Sequence, residues 1–522
     1  MTARIKDHEA LLHALQNPAL YPHAGHDIQL LETHISSVLL IGDYAYKIKK
    51  PVNLGFLDFE SLEARRHFCE EELRLNRRLA PDLYLAVVPI CGRAAQPELD
   101  GTGPPIEYAV KMRRFPQEAL LDRQIEQGRV DLEVVDAIAD EVAHFHGRIE
   151  VAPADSVFGE PDTVLAPMLH NFVEVAEHLT APDVVSTLER IEDTTRNTWK
   201  CLEPRLEERK KSGFIRECHG DMHLRNVARL EGRIVIFDGI EFDPKLRWID
   251  VVSEIAFMAM DLDHRGSPEL AWRFLNRYVS WTGDYAGLDL LRFYQAYRAM
   301  VRAKVDAIQL GQTPDDDRDQ TALLDDTRLL LDLAQDYLAG DEPALVLCAG
   351  LSGSGKTFFA DRMARHFGLV HLRSDVERKR LFDLPPDADS RSRGDRDIYA
   401  PEATDRTYRR LETLTRSLLR ARLPVAVDAT FLTRSRRERF RELAADLNIP
   451  FRIFWLEAAL PELENRIRMR AQRGTDASEA DLEVLAAQRR RQHPPGTDEP
   501  ATHCSSDRPL PEHSLVKWIG AL

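Results

Sequence analysis

Chemistry-bearing residues gather in two places along the chain. The first is His219-Gly220-Asp221-Met222-His223-Leu224-Arg225-Asn226, followed by Ile236-Phe237-Asp238 at the end of a hydrophobic run. Phosphoryl transfer needs a carboxylate beside the acceptor hydroxyl and oxygen ligands for magnesium on the nucleotide phosphates. This spacing casts Asp221 as the base and Asn226 and Asp238 as metal ligands. The second is Gly350-Leu351-Ser352-Gly353-Ser354-Gly355-Lys356-Thr357, which matches GxxxxGK[ST]. Glycines there let backbone amides turn inward around phosphates, and a following helix adds positive potential at its N-terminus. Lys356 would reach the β- and γ-phosphates of ATP, and Thr357 would coordinate magnesium.

Supporting residues surround each centre. Lys47 stands just after a hairpin signal and is the candidate to pair with the α- and β-phosphates. Lys49 and Lys50 are rivals for the role, Lys49 sharing the same sheet face because side chains alternate. Glu70, Glu71 and Glu72 lie on the next helix, and one of them could anchor the lysine. Near the second centre, Asp375 follows a strand where a base could face an acceptor hydroxyl. Asp428 ends Val425-Ala426-Val427-Asp428, placed to hold a magnesium-bound water. Arg466, Arg470 and Arg473 are spaced by four and three residues, so they share one helix face and suit a lid that closes on phosphates. A plain solvated helix is the alternative. Arg434 and Arg437 are weaker candidates for acceptor contacts.

The elements that must carry these residues are legible. Strands are expected at Ile28 to Leu31, Ser37 to Ile41 and Tyr44 to Lys49, with Gly42-Asp43 as a hairpin turn. A helix follows from Ser61, its N-cap, to Leu79. Two further strands, Tyr84 to Ile90 and Ile106 to Met112, flank a Gly/Pro-rich turn. Leu120 to Leu206 is mostly helical, Phe214 to Cys218 and Arg233 to Phe237 are short strands, and Trp248 to Leu338 is helical again. After Gly340-Asp341-Glu342-Pro343 the texture changes to alternating strands and helices, the pattern of a parallel sheet with crossover helices. Strands are expected at Ala344 to Ala349, Val370 to Leu372, Val425 to Asp428 and Ile449 to Leu456. Gln492 to Pro511 reads as a Pro-rich surface loop.

Bulk properties bound the function. A chain of 522 residues exceeds one ordinary core, so two or three domains are expected. No apolar run approaches the ~20 residues of a membrane span, and the N-terminus lacks a signal-peptide core, which places the protein in the cytoplasm. The six cysteines include no CxxC pair, so zinc and redox dithiols are not indicated. Net charge of -16 argues against general nucleic-acid binding. The charge is uneven: from Ala344 onward 31 basic residues face 26 acidic ones, leaving -21 for the rest. The acidic first part favours a cationic acceptor such as an aminoglycoside or a choline-like amine.

The set Asp221, Asn226 and Asp238 resembles the aminoglycoside phosphotransferase and choline kinase-like group, over about Ile28 to Ile308. The resemblance implies a small sheet lobe (about 25–115), a helical lobe (about 120–338) and ATP between them. It makes Val110 to Phe115 the hinge beside adenine and Asp250 a buried brace of the catalytic loop. One departure stands out. Where such kinases often carry a glycine-rich phosphate loop, this chain has Glu32-Thr33-His34-Ile35-Ser36-Ser37, whose hydroxyls would have to replace glycine amides. The second part resembles P-loop kinases grouped with gluconate kinase, polynucleotide kinase and zeta toxin. The pairing resembles bacterial fusions of an aminoglycoside phosphotransferase-like domain with an AAA-type ATP-binding domain.

The expected architecture is therefore an α+β two-lobed kinase-like domain (1–339), a linker (340–343) and an α/β P-loop domain (344–522). The expected activity is ATP- and magnesium-dependent transfer of the γ-phosphoryl group to hydroxyls of small molecules at two sites. Two alternatives stay open. One domain could sense ATP and regulate the other, or the P-loop domain could phosphorylate a nucleotide or a nucleic-acid 5′ end. No membrane partner is expected, and nothing in the sequence sets an oligomeric state.

Overall fold

The structure is a computed structural model describing residues 3–21, 23, 28–53, 57–311, 318–388, 398–473 and 477–505; the side chains of 3–6, 318, 319 and 473 stand outside it. The chain divides into two compact units. One comprises Met1–Val134, His144–Pro167 and Glu203–Met258; the other comprises Val135–Ala143, Met168–Leu202 and Ala259–Leu522.

The first unit is built on a six-stranded antiparallel sheet. Its strands are β1 (Ile28–Glu32), β2 (Ser36–Ile41), β3 (Tyr44–Lys49), β4 (Tyr84–Arg93), β5 (Gln96–Leu99) and β6 (Pro105–Arg113). They lie in the order β1-β2-β3-β6-β4-β5. Gly42 adopts φ +54 in the two-residue turn that pairs Ile41 with Tyr44, as the hairpin signal required. The helix Leu62–Asn76 starts where Ser61 Oγ accepts from Ala64 N at 3.0 Å. Two small antiparallel ladders carry the catalytic-type loop. β7 (Ile215–Glu217) pairs with β10 (Trp248–Asp250), and β8 (Val227–Leu230) pairs with β9 (Arg233–Ile236). β5, β8 and β10 were not expected; each is short, and each pairs with a neighbour that periodicity alone does not reveal.

The second unit contains a five-stranded, all-parallel sheet: β11 (Leu345–Gly350), β12 (Val370–Arg373), β13 (Val425–Asp428), β14 (Phe451–Glu457) and β15 (Ala501–Ser505). The order β12-β13-β11-β14-β15 puts the P-loop strand β11 in the centre. β11 and β13 are buried along their whole length, as continuous apolar runs in a doubly covered parallel sheet should be. One expectation needs correction here. The Pro-rich stretch from Gln492 contains β15, a strand of the sheet rather than surface loop alone, because its Ala501–Ser505 core alternates well enough to extend the β14 edge. The acidic run Thr313-Pro314-Asp315-Asp316-Asp317, which the sequence marks as a loop before the last helix of the first part, lies outside the described residues.

β12 is the other edge of that sheet, and it is covered from outside the expected P-loop segment. The helix Pro268–Thr282 packs beside it. Asn276 Nδ2 donates to Leu369 O at 2.9 Å, and His371 N donates to Asn276 Oδ1 at 2.8 Å. One amide side chain thus satisfies a donor and an acceptor that an edge strand would otherwise leave open. Close by, Arg273 forks onto Asp136 at 2.6 Å through both Nε and Nη2 and reaches Asp361 with Nη1. Arg380 Nη2 donates to Ser280 O at 2.6 Å. Asp341, within the irregular stretch before β11, is held by Arg292 Nε at 2.9 Å. The six cysteines form no disulfide, and all but Cys201 are buried. Among the described residues no helix is long and apolar enough to cross a membrane.

Asn276→Ala leaves the Leu369 carbonyl and the His371 amide without their partner, a cost of about 1–3 kcal/mol. A lowered urea midpoint with unchanged slope is the expected outcome.

Candidate functional site

A cleft of about 1130 Å³ opens in the first unit. Its lining brings together Lys47, Met112, Phe115, Asp221, Asp238 and Glu241. Lys47 is the lysine that faces it, on β3 as expected. Its Nζ lies 2.9 Å from Glu72 Oε1 and 2.6 Å from Asp238 Oδ1. Burial works against the Lys47 ammonium, but Asp238, Glu72 and Glu241 outweigh it and hold its pKa well above the ordinary lysine value. Lys49, two residues on, is fully buried. It binds Glu72 Oε2 at 2.8 Å and also Glu241. Lys49 is therefore a structural ion rather than a rival in the cleft, and Lys50 pairs with Glu32 on the surface side. Of the three glutamates, Glu72 is the anchor. Glu70 instead pairs with Arg66, and Glu71 with Arg74.

Glu72 and Glu241 are driven apart electrostatically. Burial disfavours the charge on both. Two lysines flank Glu72 and lower its pKa, whereas Glu241 meets the charge of Glu72 as well as Lys49 and stays raised.

The catalytic-type loop is held by buried polar contacts. Asn226 Nδ2 donates to Asp221 O and to Asp221 Oδ2, both at 2.9 Å. His223 Nε2 lies 3.2 Å from Asp221 Oδ2. His219 Nδ1 accepts from Asp221 N at 3.3 Å, and its Nε2 lies 2.9 Å from Phe237 O, so His219 supports backbone. Burial, which outweighs nearby carboxylates, lowers the His219 pKa. Asp238 sits at φ +63, in the left-handed region, with its amide donating to the Tyr84 hydroxyl at 3.1 Å. Asn76 Oδ1 accepts from Gly239 N at 2.8 Å. These contacts fix where the Asp238 carboxylate points.

Two expectations about this site are corrected. Asp250 does not bind the loop's amides: it pairs with Arg209 (Nη2 to Oδ1 2.8 Å) and accepts from Val252 N. Glu254 braces the loop instead. Its Oε1 accepts from His219 N and Gly220 N, both at 2.7 Å, while its Oε2 meets His146 Nε2 at 2.8 Å. Nothing in local sequence marks Glu254, which sits in an apolar helix with its partners far along the chain. The second correction concerns the expected hydroxyl loop. Ser36 and Ser37 are buried in β2, and Thr33 Oγ1 spends its hydrogen bonds on Ser36 N and Ser36 O, each at 3.0 Å. Only Thr33 and Ile35 of that segment line the cleft.

The P-loop lies in the second unit, at the C-terminal ends of β11 and β13, where open parallel sheets bind ligands. Gly350 has φ +145, and a Cβ there would fall 2.4 Å from Leu456 O. Gly353 has φ +82, and a Cβ would fall 2.8 Å from Leu463 O. Both positions admit only glycine. The helix Lys356–Phe367 begins at Lys356, which puts Lys356 and Thr357 in its first turn. Ser352, Ser354 and Lys356 are buried, and Gly355 caps the helix in a left-handed conformation. Asp428 is buried at the end of β13, opposite Cys348 of β11. Burial opposes its charge, but His371, Lys356 and Arg373 prevail and bring its pKa down to about 2. The His371 contact spans 3.6 Å, Nε2 to Oδ2, longer than a hydrogen bond. Asp375 stands in the first turn of the helix Ser374–Arg380, half-buried near Tyr399.

The arginine row divides. Arg466 Nη1 donates to Gly353 O at 3.3 Å and Nε to Glu462 at 2.6 Å, so it does touch the P-loop. Arg470 Nη2 instead donates to Ala480 O at 2.7 Å. Arg473 ends that helix, Leu460–Arg473, and its side chain lies outside the described residues, as do residues 474–476. Arg437 and Arg434 are not acceptor contacts. Arg437 is buried and forks onto Glu499, both bonds 2.7 Å, and Arg434 pairs with Asp498.

Both centres offer the hard oxygen donors that magnesium takes. At the P-loop, Asp428 Oδ1 and Ser354 Oγ are buried with no hydrogen-bond partner, a cost that a hydrated cation and phosphate would relieve. In the first unit, Asn226 gives its amide hydrogens to Asp221, which leaves its carbonyl oxygen as the ligand atom, and the Asp238 carboxylate is 46% exposed.

Comparison with known proteins agrees with this geometry. Residues 57–291 match the Phosphotransferase enzyme family, and residues 345–495 match an AAA domain. An uncharacterized protein of Mycobacterium tuberculosis H37Rv is 31% identical over 462 residues, covering 88% of this chain and 90% of that one; its Mycobacterium bovis counterpart matches equally. The chain belongs to this two-part family. In this chain the phosphotransferase part precedes the P-loop part. Among solved structures, a choline/ethanolamine kinase family protein from Mesorhizobium loti is similar at 13% identity and TM-score 0.40, covering 64% of this chain and 97% of that one. A gluconokinase from Sinorhizobium meliloti 1021 is similar at 20% identity and TM-score 0.24, covering 34% and 89%.

Glu72→Ala leaves two buried ammonium groups short of their shared counter-ion, a loss of about 3–5 kcal/mol. Chemical denaturation measures it; Lys50→Ala, on the exposed pair, is expected to shift stability by less than about 1 kcal/mol.

Proposed function

We propose that this phosphotransferase carries two ATP sites, one in the cleft of the first unit and one at the P-loop, and transfers the γ-phosphoryl group to hydroxyls of small molecules. The observation that carries the reading is the convergence of Lys47, Asp221 and Asp238 on one cleft, with Glu72 holding the lysine. Lys47 is positioned to exchange its contact with Asp238 for the α- and β-phosphates. The apolar Met112 and Phe115 offer a surface for adenine beside the hinge. Asp221, oriented by Asn226 and His223, takes the proton from the acceptor hydroxyl. At the P-loop, Lys356 binds the β- and γ-phosphates, Asp375 steers the second acceptor and Arg466 steadies the loop. Magnesium held by Asn226 and Asp238, and by Thr357 and Asp428, would neutralise phosphate charge. The two activities divide at 340–343, and the protein acts in the cytoplasm.

The cleft mixes Asp43, Glu118 and Glu241 with Arg113, Arg114 and Arg123. The chain's net charge therefore does not dictate a cationic acceptor, and a polar hydroxyl compound of either sign fits. One observation favours a second reading, in which the first site senses ATP without turnover. The loop over its phosphates has committed its threonine hydroxyl to Ser36 and buried both serines.

Asp221→Ala and Lys356→Ala in the full chain decide between these readings. Consumption of ATP with a mixed metabolite pool is expected to fall about 10²–10⁴-fold at the altered site. The sensor reading holds if only Lys356→Ala lowers turnover while ATP still binds both sites. If neither substitution changes phosphate transfer or ATP hydrolysis, both readings are abandoned.

A further inference from the structure

The first half of the P-loop is gripped by side chains from a distant segment. Leu351 packs on a cluster of Leu463, Ile467 and Leu485. Gly353 O accepts from Arg466. Between them, Ser352 is held at two atoms by one residue. Its amide donates to Gln488 Oε1 at 2.9 Å, and Gln488 Nε2 donates to Ser352 Oγ at 3.0 Å. Gln488 lies on the helix Leu482–Arg491, whose start is fixed where Asp481 Oδ1 accepts from Val484 N at 2.9 Å. Leu485, one helical turn before Gln488, is buried in the cluster and shares its face, so the glutamine is aimed by packing.

We propose that Gln488 is a positioning residue of the P-loop. It sets the Ser352 peptide so that the following amides, from Gly353 to Thr357, converge on the nucleotide's phosphates. This rests on the reading of the P-loop as an ATP site. A phosphate-binding loop works because its amides are oriented before the ligand arrives, and any rotation of one peptide costs binding. Glycines at 350 and 353 make this loop permissive, so something outside it must choose the conformation. Gln488 supplies that choice with both of its amide atoms.

The test is calorimetric titration with ATP and magnesium of the full chain carrying Lys47→Ala together with Asp238→Asn, which removes the phosphate and metal contacts of the cleft and leaves the P-loop as the reporting site. Gln488→Ala in that background is expected to weaken ATP about tenfold, the worth of the two hydrogen bonds lost. The nucleotide-free melting midpoint should fall modestly, as the loss of two part-buried hydrogen bonds requires, so affinity is the deciding readout: a merely helix-anchoring glutamine would lower the midpoint and leave affinity alone. Ser352→Ala removes half of the contact. It should weaken ATP by a smaller factor, and should add little on top of Gln488→Ala. Unchanged or tighter ATP binding in Gln488→Ala overturns the positioning role, the second result marking the glutamine as a competitor for the loop. If Lys356→Ala binds as the background does, the P-loop reading itself falls, and Gln488 with it.

Discussion

A single carboxylate, Glu72, carries the charge balance of the first unit. It receives two lysines, Lys47 and Lys49, that alternation places on the same face of β3. One of them points onward to Asp238 in the cleft, the other to Glu241 beneath it. The stretch Asp238 to Glu241 is thereby pinned at both ends by lysines from the sheet. Taking these ions out of water is costly, and the arrangement persists because every charge in it has an opposite neighbour. The left-handed backbone at Asp238 and the hydroxyl of Tyr84 then fix the remaining freedom.

The P-loop site is organised differently. Its charge centre, Asp428, is set by strand register: β13 places it level with Cys348, two residues before Gly350 ends β11. Its loop follows a backbone path that only glycine permits at 350 and 353, and Gln488 and Arg466 hydrogen-bond to it from outside. One site thus relies on buried ion pairs and the other on turns that glycine makes possible. Each half of the chain presents oxygen donors of the kind a hard cation takes, and each does so by its own route.

Sequence legibility followed locality. The P-loop, the Lys47 hairpin, the Ser61 cap and the β13 acid are encoded in contiguous residues, and all stand where the pattern put them. Asp221, Asn226 and Asp238 were legible because a short loop and a strand end hold them together. What escaped was long-range pairing. Glu254 reaches the His219 amide from an apolar helix 35 residues on, and Gln488 reaches Ser352 across 136 residues. β15 hid in a Pro-rich stretch because an edge strand needs only a few alternating residues once a neighbour offers its ladder. Arg470 shares a helix face with Arg466 yet bends to Ala480, since face-sharing says nothing about which carbonyl a long side chain finds.

The amide of Asn276 on the β12 edge bears on how this protein can be taken apart. The obvious cut, at the irregular stretch from Gly340 to Pro343, would free a five-stranded sheet whose outer strand has lost the side chain that paired it. Such a fragment would carry an open hydrogen-bonding edge, the feature that recruits further strands and drives chains to associate. A P-loop part that is well behaved in isolation would need to bring the helix Pro268–Thr282 along. That helix ties the sheet's integrity to residues well upstream of the junction.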